Sequence, residues 1–188
     1  MIKSKLRLSD NIIYARKCSV RVIDNKLAKI FFDNNHLQKH RSARHYIALY
    51  HDNVLVGCLS ISKHDKFHYE IIRLAFDHNT IIIGGLQKML KFFIRSYEPK
   101  SIMTWSDMRI SNGTCYRNAG FELIKISKPN YSYVKSNSIY SRQSFQKHKL
   151  KHKLLIYNEN LSEPMNMFMN GYRRLWDAGH MQWILHIT

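Results

Sequence analysis

The chain has 188 residues, enough to bury one substantial core, with a hydrophobic content of 45%. Its 30 Lys and Arg stand against 13 Asp and Glu, a formal charge of +17; that excess points to a polyanionic partner, DNA before RNA. No apolar run reaches the about 20 residues that span a bilayer, Met1-Ile-Lys-Ser-Lys-Leu-Arg7 has no apolar stretch behind it as a secretory signal would, and the widely spaced Cys18, Cys58 and Cys115 form neither a disulfide framework nor a metal knuckle. These features predict a cytoplasmic protein with no membrane partner.

Ser19–Ile23 alternates and predicts a strand. Asp24 is placed to cap a helix through Phe32, with Leu27, Ile30 and Phe31 on one face. Tyr46–Tyr50 and Val54–Ile61 flank His51-Asp52-Asn53 as a hairpin. Tyr69–Phe76 predicts a strand, and the Gly84-Gly85 turn opens an amphipathic helix that runs to Tyr97 and stops before Pro99. Ser101–Ser106 reads as a buried strand, Asn112–Ala119 as a short helix ended by Gly120, and Phe121–Ile126 and Tyr131–Val134 as late strands. The order is that of an α+β fold, a mixed central sheet flanked by helices with one parallel crossover. Beyond Val134 the character turns basic and aromatic. Ser141–Leu154 predicts a basic helix, Glu163–Met169 a short helix, Gly171–Gly179 a turn-rich aromatic segment and Met181–Ile187 a closing strand. Nothing reads as a linker, so residues 1–188 are expected to form one domain, with 135–188 as its basic C-terminal extension.

Candidate functional residues follow from charge and position. Glycines at a helix N-terminus offer outward backbone N–H groups to an anion, which selects Gly84, Gly85, Leu86, Gln87 and Lys88; the alternative is a plain strand-to-helix turn. Glu70 and Arg73 lie three apart on one strand and are expected on opposite faces, with Glu70 either a general base or an ion-pair partner of a Lys or Arg. Asp107 and Arg109 share a face if the strand Ser101–Ser106 continues, either in a site or as a loop salt bridge. Eleven histidines match no zinc spacing, so no metal is expected; His36 is placed in a cleft and His40, His45, His64 and His68 on the surface. Arg142, Lys147, Lys149 and Lys151 on the basic helix, with Arg173 and Arg174, are the candidate phosphate contacts. Tyr131, Tyr133, Tyr140, Tyr172 and Trp176 either stack on an exposed base or pack as core.

The segment from Tyr69 to Phe121 resembles the cofactor-binding half of the GCN5-related N-acetyltransferase (GNAT) fold. Tyr116-Arg-Asn-Ala-Gly-Phe121 matches that family's Tyr-x-x-x-Gly-Phe pattern. Ile82-Ile-Gly-Gly-Leu-Gln-Lys88 departs from its phosphate loop, lacking the leading Gln or Arg and the spaced small residue. The resemblance implies acetyl-CoA or a related acyl-CoA as cofactor, its pyrophosphate on the amides of Gly85 to Lys88. It also implies Tyr116 as the acid for the departing thiolate and Glu70 or Asp107 as base. A wider set of segments looks like a GNAT-like module of phage homing-endonuclease-like proteins. It includes Ile13–Cys18, His36–Gln38, Tyr69–Arg73, Asp107–Arg109, Pro129–Tyr133, Arg142–Lys147 and Gly171–Asp177. Asp107-Met-Arg109 with Gly113-Thr-Cys-Tyr116 is similar to the Mom-type phage DNA-modification enzymes. These resemblances imply DNA as partner, a small acyl-type group transferred to a DNA base or a DNA-associated amine, and a partner nuclease. The sequence carries no His-Asn-His cluster, GIY-YIG pair or Asp…Glu-x-Lys core. Two other readings stay open: a non-catalytic DNA-binding accessory module, and an anti-defence factor that reuses the fold.

Overall fold

The computed structural model describes residues 11–65 and 68–187; the N-terminal stretch Met1–Arg7 lies outside them. Its strands are β1 (Asn11–Tyr14), β2 (Ser19–Val22), β3 (His45–His51), β4 (Val54–Lys63), β5 (His68–Phe76), β6 (Thr80–Ile83), β7 (Ser101–Asp107), β8 (Glu122–Ile126), β9 (Tyr131–Lys135), β10 (Ser138–Ser141), β11 (Arg173–Trp176) and β12 (His180–His186). The helices are α1 (Asn25–Asn35), α2 (Gly85–Tyr97), α3 (Thr114–Arg117), α4 (Lys147–Leu150) and α5 (Glu163–Met169). Seven strands form one sheet in the order β2-β3-β4-β5-β7-β12-β8. Pairing from β2 to β5 is antiparallel, and β5 with β7 is the parallel pair. The chain divides into two compact units, the first Met1–Ser106, Gly113–Lys125 and Gln182–Thr188 as far as described, the second Asp107–Asn112 and Ile126–Met181.

In the first unit α1 forms because the Asp24 carboxylate accepts the Leu27 N–H at 2.8 Å. Its buried residues Ala28, Phe31 and Phe32 follow the helical spacing and pack on Tyr46, Cys58 and Ala75 of one sheet face. Helix α2 buries Leu86, Met89, Leu90 and Phe93. It covers the other face, where Phe93 meets Tyr69 edge-on at 5.1 Å between centroids. Two strands escape the sequence pattern. β1 and β6 pair in parallel over four residues as a separate ribbon, Asn11 opposite Thr80 through Tyr14 opposite Ile83. The Gly84 turn therefore follows β6, not β5 directly.

In the second unit β9 is the centre of a three-stranded antiparallel sheet, β10-β9-β11. Tyr131 and Tyr133 pack with Phe145, Leu150 and Met167 as its core. The expected helix Ser141–Leu154 does not form. A 3-10 turn covers Arg142–Phe145, Gln146 is extended, and α4 spans only four residues. The reason is register. Phe145 and Leu150 are both buried, yet five residues apart they would sit about 140° apart on a continuous helix. Like charges at Lys147 and Lys151, and at Lys149 and Lys153, also oppose a long helix. The break brings both apolar side chains to one core. Likewise the segment expected to be turn-rich contains β11, with Trp176 opposite Tyr131.

Gly113 adopts φ 75° at the start of α3, and a Cβ built there would fall on the ring of Trp183. Trp183 is almost fully buried and donates its indole N–H to Ser106 Oγ at 2.9 Å. Gly113→Ala should therefore combine backbone strain with overpacking and cost about 3 kcal/mol. Urea unfolding at unchanged m-value checks it.

Candidate functional site

The register of β5 is the key to the site. Arg73 pairs with Ser60 and Glu70 with Ser62, while Ile61 pairs with Ile71, so Ile72 is an extra residue in a β-bulge. Ser60 and Ser62 lie two apart on β4 and share a face, so Arg73 and Glu70 share it too. The expectation of opposite faces fails for this reason: the bulge reverses the alternation. Both side chains lie on the α1 face. Glu70 has no ion-pair partner among the described residues.

Beyond the bulge β5 also leaves β7. The two pair from His68 opposite Ser101 to Ile71 opposite Thr104, and then continue to Phe76 and Asp107 with no further paired register. A hollow of about 190 Å³ lies beside this far half of β5, lined by Leu74, Phe76 and Ile82, by Gly84 to Gln87 at the start of α2, and by Cys115 and Asn118. Gly84 has φ 78° and offers no side-chain cap, and Gly85, Leu86 and Gln87 occupy the first turn, where N–H groups have no intrahelical acceptor. Lys88 is different. Its N–H bonds to Gly84 O, and its ammonium is tied to the carbonyls of Ala15 and Cys18. Lys88 therefore anchors the chain before β2, and the anion-facing amides are those of Gly85 to Gln87. Gln87 also borders a second hollow of about 350 Å³, lined by Leu90, Lys91, Ile94, Arg95, Ala119 and Leu185. Lys91 and Arg95 were missed from sequence; their i, i+4 spacing with Gln87 was the available signal.

Tyr116 is deeply buried. Its hydroxyl bonds to Thr104 on β7, and burial pushes its pKa up to about 12. Its ring meets Phe121 at 5.6 Å and Trp183 at 6.3 Å. It remains a protonated phenol across the physiological range.

No family model matches the sequence, and comparison with curated proteins finds no relative. Solved structures do match. A GNAT family acetyltransferase from Elizabethkingia anophelis with acetyl-CoA bound superposes with a TM-score of 0.50 at 12% identity, over 91% of this chain and 99% of that one. An acetyltransferase from Bacillus subtilis in complex with CoA gives 0.50 at 12%, over 92% and 100%. The ribosomal-protein-S18-alanine N-acetyltransferase from Escherichia coli gives 0.53 at 9%, over 91% and 94%. The fold is the GNAT fold.

Within this GNAT-like fold the remaining candidates divide by unit. Asp107 and Arg109 belong to the second unit. The strand ends at Asp107 instead of continuing, and Arg109 folds back to donate to both carboxylate oxygens, at 3.1 Å from Nε and 2.6 Å from Nη2. That hydrogen bonding holds the Asp107 carboxyl below its usual range, which makes it a weak base. Arg142 lies 4.6 Å from the Tyr131 ring centroid and 3.6 Å from Glu163. Arg173 lies over Phe168, and Arg174 between Tyr131 and Trp176. Lys149 donates to Gln143 O. Lys147 and Lys151 are exposed and extend into solvent. Tyr131 and Tyr133 are core, both donating to Glu163, whereas Trp176 is half exposed. Among the described residues no group of three or more His, Cys, Asp or Glu is arranged to hold a metal, and no helix is long and apolar enough to cross a membrane.

The histidines expected on the surface are not all there. His40 lies 3.3 Å from the Tyr46 hydroxyl, and His45 packs on Tyr97 at 4.3 Å, because the aromatic residues around α1 and α2 leave flat faces to cover. His36 is partly buried; burial, reinforced by the charge of Arg73, pulls its pKa down to about 4. Its unfolded value is near 6.5. A depressed folded value means that this contribution to stability is full above pH 6.5 and is lost as pH falls through about 4. His36→Gln should flatten the pH dependence of the urea midpoint between pH 6.5 and 4, with little change at pH 7.5.

Proposed function

We propose that this protein is an acyltransferase of GNAT fold that takes an acyl-CoA donor and modifies an amine on, or held beside, nucleic acid. The observation that carries this is the parting of β5 from β7 at Ile71 and Thr104, next to the free amides that open α2. Acetyl-CoA fits the residues there. The amides of Gly85 to Gln87 would hold its pyrophosphate; Gly84 supplies the φ of 78° that the turn requires, and the missing Cβ at Gly85 makes room for the Phe76 ring. Lys91 and Arg95 border the second hollow and would meet its remaining phosphate. Bound there, the cofactor supplies a thioester-activated acyl carbon. Glu70, unpaired and on the α1 face, accepts the proton from the acceptor amine. Tyr116, protonated and hydrogen-bonded to Thr104, would give its phenolic proton to the departing thiolate, balancing the proton taken by Glu70. The charge of +17 supports a polyanionic acceptor. The GNAT-like resemblance to phage modules and Mom-type enzymes supports DNA, acting in a host cytoplasm with a partner nuclease.

A second reading, a non-catalytic DNA-binding module, is favoured by one observation: Gln87 donates across the loop to Asn118 O at 3.3 Å and narrows the first hollow. Mass spectrometry of DNA nucleosides from cells with and without the protein separates the two. A new nucleoside mass is expected, lost about 10²–10⁴-fold in rate in Glu70→Gln; no new mass, with no acetyl-CoA binding by calorimetry at millimolar ligand, overturns the enzymatic reading.

Among the described residues Lys147 and Lys151 make no side-chain hydrogen bond or ion pair, so their double replacement by Ala should weaken binding of a labelled DNA duplex and lower the slope of log affinity against log salt by up to about 1.8, with the fold intact by circular dichroism. An unchanged slope would remove them from the interface.

A further inference from the structure

The α1 face of the sheet carries a group of hydrogen-bond donors that the acyl-transfer chemistry does not use. Arg73 is half buried there. Its Nε donates to Lys39 O at 3.1 Å and its Nη1 to Ile72 O at 2.8 Å, which fixes the guanidinium plane and leaves Nη2 without a partner among the described residues. The charged side chain acting on Arg73 is another cation, Arg41 in the loop between α1 and β3. Among the described residues no carboxylate pairs with either. Glu70 shares the face two register positions away but forms no ion pair with Arg73. Asp33, across the loop, is taken by Lys29 and by the His40 N–H. His36 completes the group: its Nδ1 accepts the Gln38 N–H at 3.1 Å, so its ring proton sits on Nε2 as a donor. Opposite Arg73 in the register, Ser60 is fully buried, and its Oγ has no hydrogen-bond partner. Arg73 thus has one free donor edge, with the charge of Arg41 acting on it, the His36 imidazole in its field and the unpaired Ser60 hydroxyl opposite it in the register, and among the described residues no carboxylate neutralises the two guanidinium groups. Two uncompensated like charges cost free energy, and an anion bound to the free edge of Arg73 would relieve it.

We propose that Arg73, Arg41 and His36 form a phosphate-binding site for a nucleic-acid strand, placing its backbone beside Glu70. The proposal rests on the nucleic-acid reading above and adds to it the residues that position the acceptor. Arg73 and Arg41 act on the phosphodiester; the proton-accepting group remains Glu70. A strand rather than a free nucleotide is favoured because Arg41 is exposed at the rim while Arg73 is half buried, a depth that suits an extended backbone crossing the face.

The test is fluorescence anisotropy of a labelled single-stranded 20-mer against salt, with Arg73→Gln, Arg41→Ala and the remote exposed Lys125→Ala, each checked for folding by circular dichroism. Arg73→Gln and Arg41→Ala should each weaken binding about tenfold and lower the salt slope by about 0.7, one phosphate contact apiece; Lys125→Ala should do neither. Arg41→Ala carries the test if Arg73→Gln unfolds, because Arg41 is exposed. Wild-type binding with both variants unchanged overturns this site and leaves the nucleic-acid reading standing. Absence of wild-type binding overturns both. Binding of dAMP with the same Arg73 dependence and comparable affinity overturns the strand in favour of a free nucleotide.

Discussion

One surplus residue, Ile72 in β5, governs the arrangement of the first unit. Were β5 to alternate regularly through Ile72 with Arg73 held on the α1 face, Glu70 would turn to the α2 face, toward the layer that Phe93 occupies. A carboxylate there would lose its hydration with no partner to compensate, at a cost of several kcal/mol. The bulge moves it to the α1 face, where Arg73 and Ser60 already lie. A bulge also increases local twist, and the pairing of β5 with β7 ends at Ile71, the residue beside it. The same local irregularity thus places a partly buried carboxylate on one side of the sheet and accompanies an opening next to the α2 N-terminus. Register, rather than residue type, makes the site.

Helix α2 depends on that opening in turn. Its apolar stripe of Leu86, Met89, Leu90 and Phe93 fixes its rotation against the sheet. The polar side must then point outward, which sets Gln87, Lys91 and Arg95 along the two hollows. Lys88 lies at the edge of the stripe and is used for architecture, tying its ammonium to the carbonyls before β2. A lysine one turn into a helix reads from sequence as a phosphate ligand. Whether its charge is free depends on carbonyl groups about 70 residues earlier in the chain, which no local pattern reveals.

The fold was legible where periodicity was long and capping was explicit. The Asp24 cap, the hairpin β3–β4, the amphipathic α2 and the strand β7 stand as their patterns predict. The failures share a cause. β1 and β6 are too short to alternate visibly and exist because they pair with each other. The basic helix was predicted from composition and a serine cap, but tertiary demand for Phe145 and Leu150 on one core broke it. Of the candidate site, Gly84, Gly85 and Glu70 were visible as residue types. The common face of Glu70 and Arg73 was not, since a three-residue separation implies opposite faces unless a bulge is known. Asp107 and Arg109 were chosen for strand extension, and a turn closed them on each other instead.

The charge excess acquires a sharper meaning when the acids are followed. Asp33 takes Lys29, Asp107 takes Arg109, Asp177 accepts the amides of Asn130 and Gly179, and Glu163 accepts two tyrosine hydroxyls. Those carboxylates are committed to loops and caps, so they leave most of the basic side chains uncompensated. Arginines in the second unit nevertheless find partners, because guanidinium planes stack on aromatic rings: Arg142 and Arg174 at Tyr131, Arg173 at Phe168. Lysines stack less well and stay hydrated, which leaves Lys147 and Lys151 exposed. Exposed ammonium groups act on a polyanion through counterion release and carry little base preference. Positioning of a strand would then fall to the fixed guanidinium of Arg73, whose geometry is set by the carbonyls of Lys39 and Ile72 rather than by solvent. A protein built this way would approach any nucleic acid by charge and fix its position only at the face beside Glu70.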